Sequence, residues 1–91
     1  MKCVKVKTKY EGDMVKDNGP SHLINWKLCQ EACQAFDGCE YWVFGPYCIF
    51  EGKNSKEIQN EFTFTTAGLK HCPGDESLFM IIRFYYKLAN P

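Results

Sequence analysis

Six cysteines in ninety-one residues are the side chains with the most chemistry to offer. Four of them lie in one stretch, Cys29 to Cys48, reading CQEACQAFDGCEYWVFGPYC. As thiolates, Cys29, Cys33, Cys39 and Cys48 could hold zinc, which favours cysteine pairs separated by two to four residues. The eight residues between Cys39 and Cys48 break that spacing, and Cys3 and Cys72 are left without a role. As a nucleophile, a cysteine needs a free thiol beside a base, and an even set in a small chain argues that none is free. His22 falls in a loop-like stretch and His71 sits beside Cys72; both read as surface or hydrogen-bonded histidines. Asp13, Asp17, Asp37 and the glutamates fall in turns or on wet faces without a paired-carboxylate pattern. No Gly-rich phosphate loop or nucleophile elbow is present. Disulfides are the remaining chemistry, and an even cysteine count in a short chain fits an oxidising compartment. The expectation is a non-enzyme with no catalytic residue, metal or cofactor.

A chain of this length makes one domain whose core is marginal without staples. Its formal charges cancel, eleven acidic against eleven basic, so no strong field draws in nucleic acid or an anionic membrane. Lys2, Lys5, Lys7 and Lys9 form a local exception and read as the solvated face of a strand. The longest apolar run, within residues 77–88, is interrupted by Arg83 and is too short to cross a bilayer. Met1-Lys2 leads into Cys3 with no apolar leader; with paired cysteines, a mature piece of a longer secreted precursor is expected.

The elements that must position the cysteines follow from periodicity. Residues 3–10, CVKVKTKY, alternate and predict a half-buried strand. Glu11-Gly12-Asp13 is a turn, Met14-Val15 starts a short return strand, and residues 17–21 are a stronger break. Asn25 caps a helix over 26–36, with Trp26, Cys29, Cys33 and Phe36 on one stripe and Gln30, Glu31 and Gln34 on the wet face. Gly38 stands where a left-handed C-cap would. Residues 40–44 and 47–50 form a hairpin around Gly45-Pro46. Residues 51–60 read as a surface loop, and 61–66, EFTFTT, as another strand.

With these elements in order, the pattern C-x3-C-x5-C-x2-W-x5-C, flanked by Cys3 and Cys72, resembles the PAN/apple module. Trp42 and Phe44 behind Cys39, Cys48-Ile49-Phe50, and Gly68 ahead of Cys72 also match. The Tyr10-Glu11-Gly12 stretch and the Cys29–Cys33 helix look most like the type found in microneme adhesins of apicomplexan parasites. The resemblance covers residues 3–72 and leaves 73–91 as an extension, an added strand or a linker to a following module. It implies an α+β fold, a twisted antiparallel sheet cradling one helix. It also implies the pairs Cys3–Cys72, Cys29–Cys48 and Cys33–Cys39.

The functional expectation is a secreted, extracellular or secretory-organelle recognition module, one part of a larger protein. Its partner is a protein or glycan on a cell surface, alongside sister modules; nucleic acid and membrane spanning are not expected. Trp42 and Phe44 share one strand face, the core face. Tyr41 alternates to the other, so Tyr41, Tyr47 and Tyr10 are the expected contact residues, each offering stacking area and a hydroxyl. The alternative is a secreted inhibitor or toxin-like blocker of a protease or receptor, presenting Lys53 to Lys56 on a rigid loop.

Overall fold

The computed structural model describes residues 3–20 and 25–72. The expectations for Lys2, His22 and residues 73–91 lie outside them. Among the described residues the fold is α+β, a twisted antiparallel sheet with one helix and three disulfides. The larger sheet has five strands among the described residues, in the order β1-β7-β4-β5-β3, with β1 Val4–Val6, β3 Met14–Pro20, β4 Tyr41–Phe44, β5 Tyr47–Glu51 and β7 Thr66–Leu69. Helix α1, Trp26–Gln34, packs on one face. A two-stranded ribbon, β2 Thr8–Glu11 with β6 Lys56–Gln59, lies against the other, where β2 meets β4 and β7.

Alternation along the strands divides the core between these faces. Trp42, Cys48 and Phe50 face the helix with Cys29, Cys33 and Cys39. Val43 and Ala67 face the ribbon with Tyr10, and Tyr41 and Ile49 pack beside them. Trp42 is fully buried and stacks on Trp26 with ring centroids 5.7 Å apart. Its indole N–H donates to the Leu69 carbonyl at 3.0 Å. Gly68, opposite Trp42 in the β4–β7 register, leaves room for that indole: a Cβ there would stand 2.9 Å from the ring and 2.7 Å from the Cys3 carbonyl oxygen.

Helix α1 starts as its sequence predicts, with Asn25 Oδ1 accepting the Leu28 N–H at 3.0 Å. It ends at Gln34, short of Phe36, and the chain then turns through Gly38 at φ 94°. Two residues assigned to its wet face are instead docked on β7. Gln30 is buried and donates to the Leu69 carbonyl, and Gln34 donates to that of Lys70 at 3.0 Å. Each amide satisfies a carbonyl at the end of the sheet, so the helix is polar where it meets backbone and apolar where it meets Trp42.

Four strand boundaries differ from the sequence reading. Residues 3–10 are two strands, because Lys7 adopts φ 51° and carries the chain from the large sheet into the ribbon. The break at 17–20 does not stop β3. Asp17 accepts the Gly19 N–H, Asn18 donates to the Cys48 carbonyl, and the strand continues with register shifts along β5. Residues 56–59, read as loop, pair with β2. Residues 61–65, read as strand, are irregular, and pairing begins at Thr66.

The disulfides join Cys3 to Cys72, Cys29 to Cys48 and Cys33 to Cys39, the pairs that the resemblance implies. Cys29–Cys48 ties helix to sheet with both residues fully buried. Cys3–Cys72 ties β1 to the chain leaving β7, where backbone pairing already holds the two strands.

At the same end of the sheet, a carboxylate clasp joins the β2–β3 turn to the β5–β6 turn. Gly52 N–H donates to the Asp13 carbonyl, Asn54 N–H to the Asp13 carboxylate, and Asp13 N–H to Glu51 Oε1. Glu51 is 3% exposed. Burial raises its pKa; the Asp13 N–H opposes that rise, and the Asp13 and Glu11 carboxylates reinforce it. A carboxyl group raised in the folded state favours folding while protonated, and that contribution is lost as pH rises.

Two stability measurements follow. Chain entropy favours the longer Cys3–Cys72 loop over Cys29–Cys48 by about 1 kcal/mol. Each buried sulfur removed near Trp42 forfeits burial comparable to a methylene, about 0.8 kcal/mol, before any cavity cost. Cys29→Ala/Cys48→Ala therefore destabilises more than Cys3→Ala/Cys72→Ala in denaturant unfolding; the reverse order would show that loop entropy dominates. For the clasp, Glu51→Gln is more stable than wild type at neutral pH, and its advantage fades as pH falls toward about 4. Unfolding free energy measured across that range checks it, and an advantage that grows with acidity contradicts the assignment.

Candidate recognition surface

The sheet face carrying Tyr41 was expected to meet solvent. The ribbon roofs it. Tyr10, from β2, is 6% exposed, and its ring stacks on Tyr41 with centroids 4.3 Å apart and planes 15° apart. Its hydroxyl donates to Glu57 Oε1 at 2.8 Å, and Lys5 Nζ approaches the same oxygen at 2.6 Å. Lys5 and Tyr10 hold the Glu57 carboxyl below its ordinary range by hydrogen bonding. Burial first, then the Glu57 carboxylate, pushes the Tyr10 hydroxyl up. Tyr10 is thus a core residue, not a contact residue, and half-buried Tyr41 forms the floor beneath it. The polar sequence of β6, Lys-Glu-Ile-Gln, hid the covering strand.

Exposed aromatic surface gathers at one rim of the sheet. Phe44 pairs with Thr66, and Val6 with the same residue from the other side. Beyond them lie the Gly45-Pro46 turn, Lys7 and the loop Asn60–Thr65. Tyr47 begins β5 at this rim and is exposed. Gly45 sits against Thr65, close enough that an added Cβ would stand 3.0 Å from the Thr65 methyl.

The Asn60–Thr65 loop is fastened at both ends to the Lys7 crossover. Asn60 N–H donates to the Lys7 carbonyl at 3.2 Å, Thr8 N–H to the Thr65 carbonyl at 3.1 Å, and Thr65 Oγ1 to the Thr8 carbonyl at 2.6 Å. Within it, Asn60 Oδ1 accepts the Phe62 N–H at 2.8 Å, and the Asn60 carbonyl accepts the Thr63 N–H at 2.9 Å. An asparagine that bonds the backbone two residues on makes a defined turn. This one holds Phe62 at 76% and Phe64 at 91% exposure. Sequence reasoning missed both phenyls by assigning EFTFTT to a strand; the Asn60 turn signal was the cue.

The remaining candidates lie apart from this rim. Lys53 and Asn54 are exposed on the turn secured by Asp13, where the Ser55 N–H and hydroxyl both bond the Gly52 carbonyl. His71 is exposed beside Cys72. All six cysteines are in disulfides, which removes the thiolates that a zinc set or a cysteine nucleophile needs. Among the described residues, no three His, Cys, Asp or Glu side chains converge as a metal site, and no helix is long and apolar enough to cross a membrane.

No family model, curated protein or solved structure matches this chain. The likeness to apple modules accordingly rests on cysteine order and on the residues around Trp42 and Gly68.

Proposed function

We propose that this chain is a non-catalytic extracellular recognition module, one part of a larger secreted protein, and that it binds a cell-surface partner through the rim of Tyr47, Phe62 and Phe64. The display of Phe62 and Phe64 on a hydrogen-bonded loop carries the reading. Leaving two phenyl rings in water is unfavourable, and clustered exposed apolar side chains mark interaction surfaces. A loop already held in one conformation loses less entropy on binding than one ordered by its partner. Phenyl rings offer no hydrogen-bonding group, which favours an apolar pocket on a protein over a glycan. The three disulfides are consistent with a secreted or extracellular protein. The apple-like cysteine order supports the same class, and the microneme type is its narrowest form.

The alternative, a protease or receptor blocker, draws on the fastened turn that exposes Lys53. The two readings place the contact on opposite ends of the sheet. Protein and glycan arrays supply a partner, and affinity is then measured for Phe62→Ser/Phe64→Ser, Tyr47→Ala and Lys53→Ala. The rim reading expects the phenylalanine variant to lose about 2 kcal/mol or more of binding, the scale of an aromatic hot spot, with an unchanged thermal midpoint. Tyr10→Ala, by contrast, lowers the midpoint because it opens the ribbon face. Unchanged affinity for the phenylalanine variant overturns the rim assignment; loss of protease inhibition in Lys53→Ala alone favours the blocker.

A further inference from the structure

Lys7 has φ 51°, in the left-handed region, whereas the other described residues with positive φ are Gly12, Gly19 and Gly38. Glycine takes that region without a Cβ clash; a long side chain there is uncommon and costs conformational energy. What the fold draws from position 7 is backbone. The Lys7 carbonyl accepts the Asn60 N–H at 3.2 Å, and the crossover then brings the Thr8 N–H to the Thr65 carbonyl at 3.1 Å. A glycine would supply the same carbonyl with less strain. What lysine adds at this position is its side chain, and strain held at a surface position points to a role in contact.

That side chain stands at the rim. Lys7 is exposed, and the backbone bonds of the crossover fasten both ends of the loop that displays Phe62 and Phe64. The lysines on either side of it are engaged within the module, Lys5 with Glu57 at 2.6 Å and Lys9 with Glu11 at 3.1 Å. A groove of about 500 Å³ lies here, with Val6, Lys7, Thr8, Asn60 and Glu61 in its lining. Its volume falls in the range that admits a ligand-sized group. Glu61, also exposed, gives the groove a second sign of charge. An anionic group entering it is drawn toward Lys7 and away from Glu61.

We propose that Lys7 sets the charge specificity of the rim, and that the partner is a polypeptide segment carrying an aspartate or glutamate beside the apolar residues that meet Phe62 and Phe64. This inference rests on the rim reading and narrows it. The Lys7 ammonium offers three donors and no acceptor, which suits a carboxylate. At the margin of an apolar contact such a charge selects among partners and speeds encounter more than it adds affinity. A polypeptide supplies both halves of the match, an apolar side chain for the phenyl rings and a carboxylate for the ammonium. A segment with a basic residue in place of the acidic one meets Lys7 as a like charge and is rejected.

Selection of a phage-displayed library of random linear peptides on the full wild-type chain tests it, followed by affinity measurements on the enriched peptides. The expected peptides combine apolar residues with an aspartate or glutamate more often than the unselected library does. At low salt their affinity falls about fivefold in Lys7→Gly, the upper scale of an exposed ion pair, and Lys7→Arg retains it. Replacing the acidic residue of the peptide by its amide costs the same factor in wild type and nothing further in Lys7→Gly. The thermal midpoint of Lys7→Gly does not fall below that of wild type, because glycine relieves the left-handed position. Peptides that need Phe62 and Phe64 but show no acidic preference, or that bind Lys7→Gly as tightly as wild type, overturn the role of Lys7 and leave the rim standing. Enrichment of no peptide, or of peptides indifferent to Phe62→Ser/Phe64→Ser, removes the rim and this inference with it. A lowered midpoint or a failure to fold in Lys7→Gly also overturns the proposal, because it makes Lys7 a structural residue.

Discussion

The structure depends on one contact, the Trp42 indole laid against Gly68. Three features converge on it. Trp26 from the helix stacks above the ring, and the Leu69 carbonyl takes its N–H. Glycine at 68 lets β7 and the carbonyl of Cys3 come close beneath. Burying an indole is among the larger single gains available to so small a core, provided its N–H finds a partner. Placing it at mid-sheet fixes the helix, the order of β1, β7 and β4, and the side on which the disulfides must lie. Cys29–Cys48 then locks the helix over the ring that it already covers.

The ribbon turns this two-layer arrangement into three. By stacking Tyr10 on Tyr41 and pairing Lys5 with Glu57, it closes the sheet face that would otherwise be open. Among the described residues, exposed apolar surface is thereby confined largely to edges and ends. One end carries the Asp13–Glu51 clasp and the Cys3–Cys72 bridge, and is polar and tied down. The other carries Lys7, Tyr47, Phe62 and Phe64, held by hydrogen bonds yet unburied. Such a division suits a module that keeps its framework at one end and its contacts at the other.

Much of the framework was legible in the sequence because its signals are local. Asn25 and Gly38 mark the helix and the turn after it, and the Tyr-Trp-Val-Phe alternation marks β4. The even cysteine count marks the staples. What was not legible depends on pairing between distant segments. Lys56–Gln59 lacks any apolar run, and only β2 makes it a strand; through that pairing Tyr10 becomes buried and covers the half-buried Tyr41. Gln30 and Gln34 look solvated until the end of β7 supplies carbonyls for them. EFTFTT has strand composition, yet the Asn60 turn and the link between Thr65 and Thr8 set the loop first. Strand propensity describes a half-buried surface, and without a neighbouring strand the phenyl rings have none to join.

The most direct test of the central contact is Gly68→Ala, followed by denaturant unfolding and by tryptophan emission. An added methyl meets the Cys3 backbone and the indole, neither of which is a flexible side-chain end. Overpacking at such a site costs about 1–3 kcal/mol. The account predicts a loss of that size together with a changed environment for Trp42, read as altered emission in the folded state. Wild-type stability and unchanged emission in Gly68→Ala would show that the sheet does not close on the indole as described, and that the helix is held by its disulfides alone.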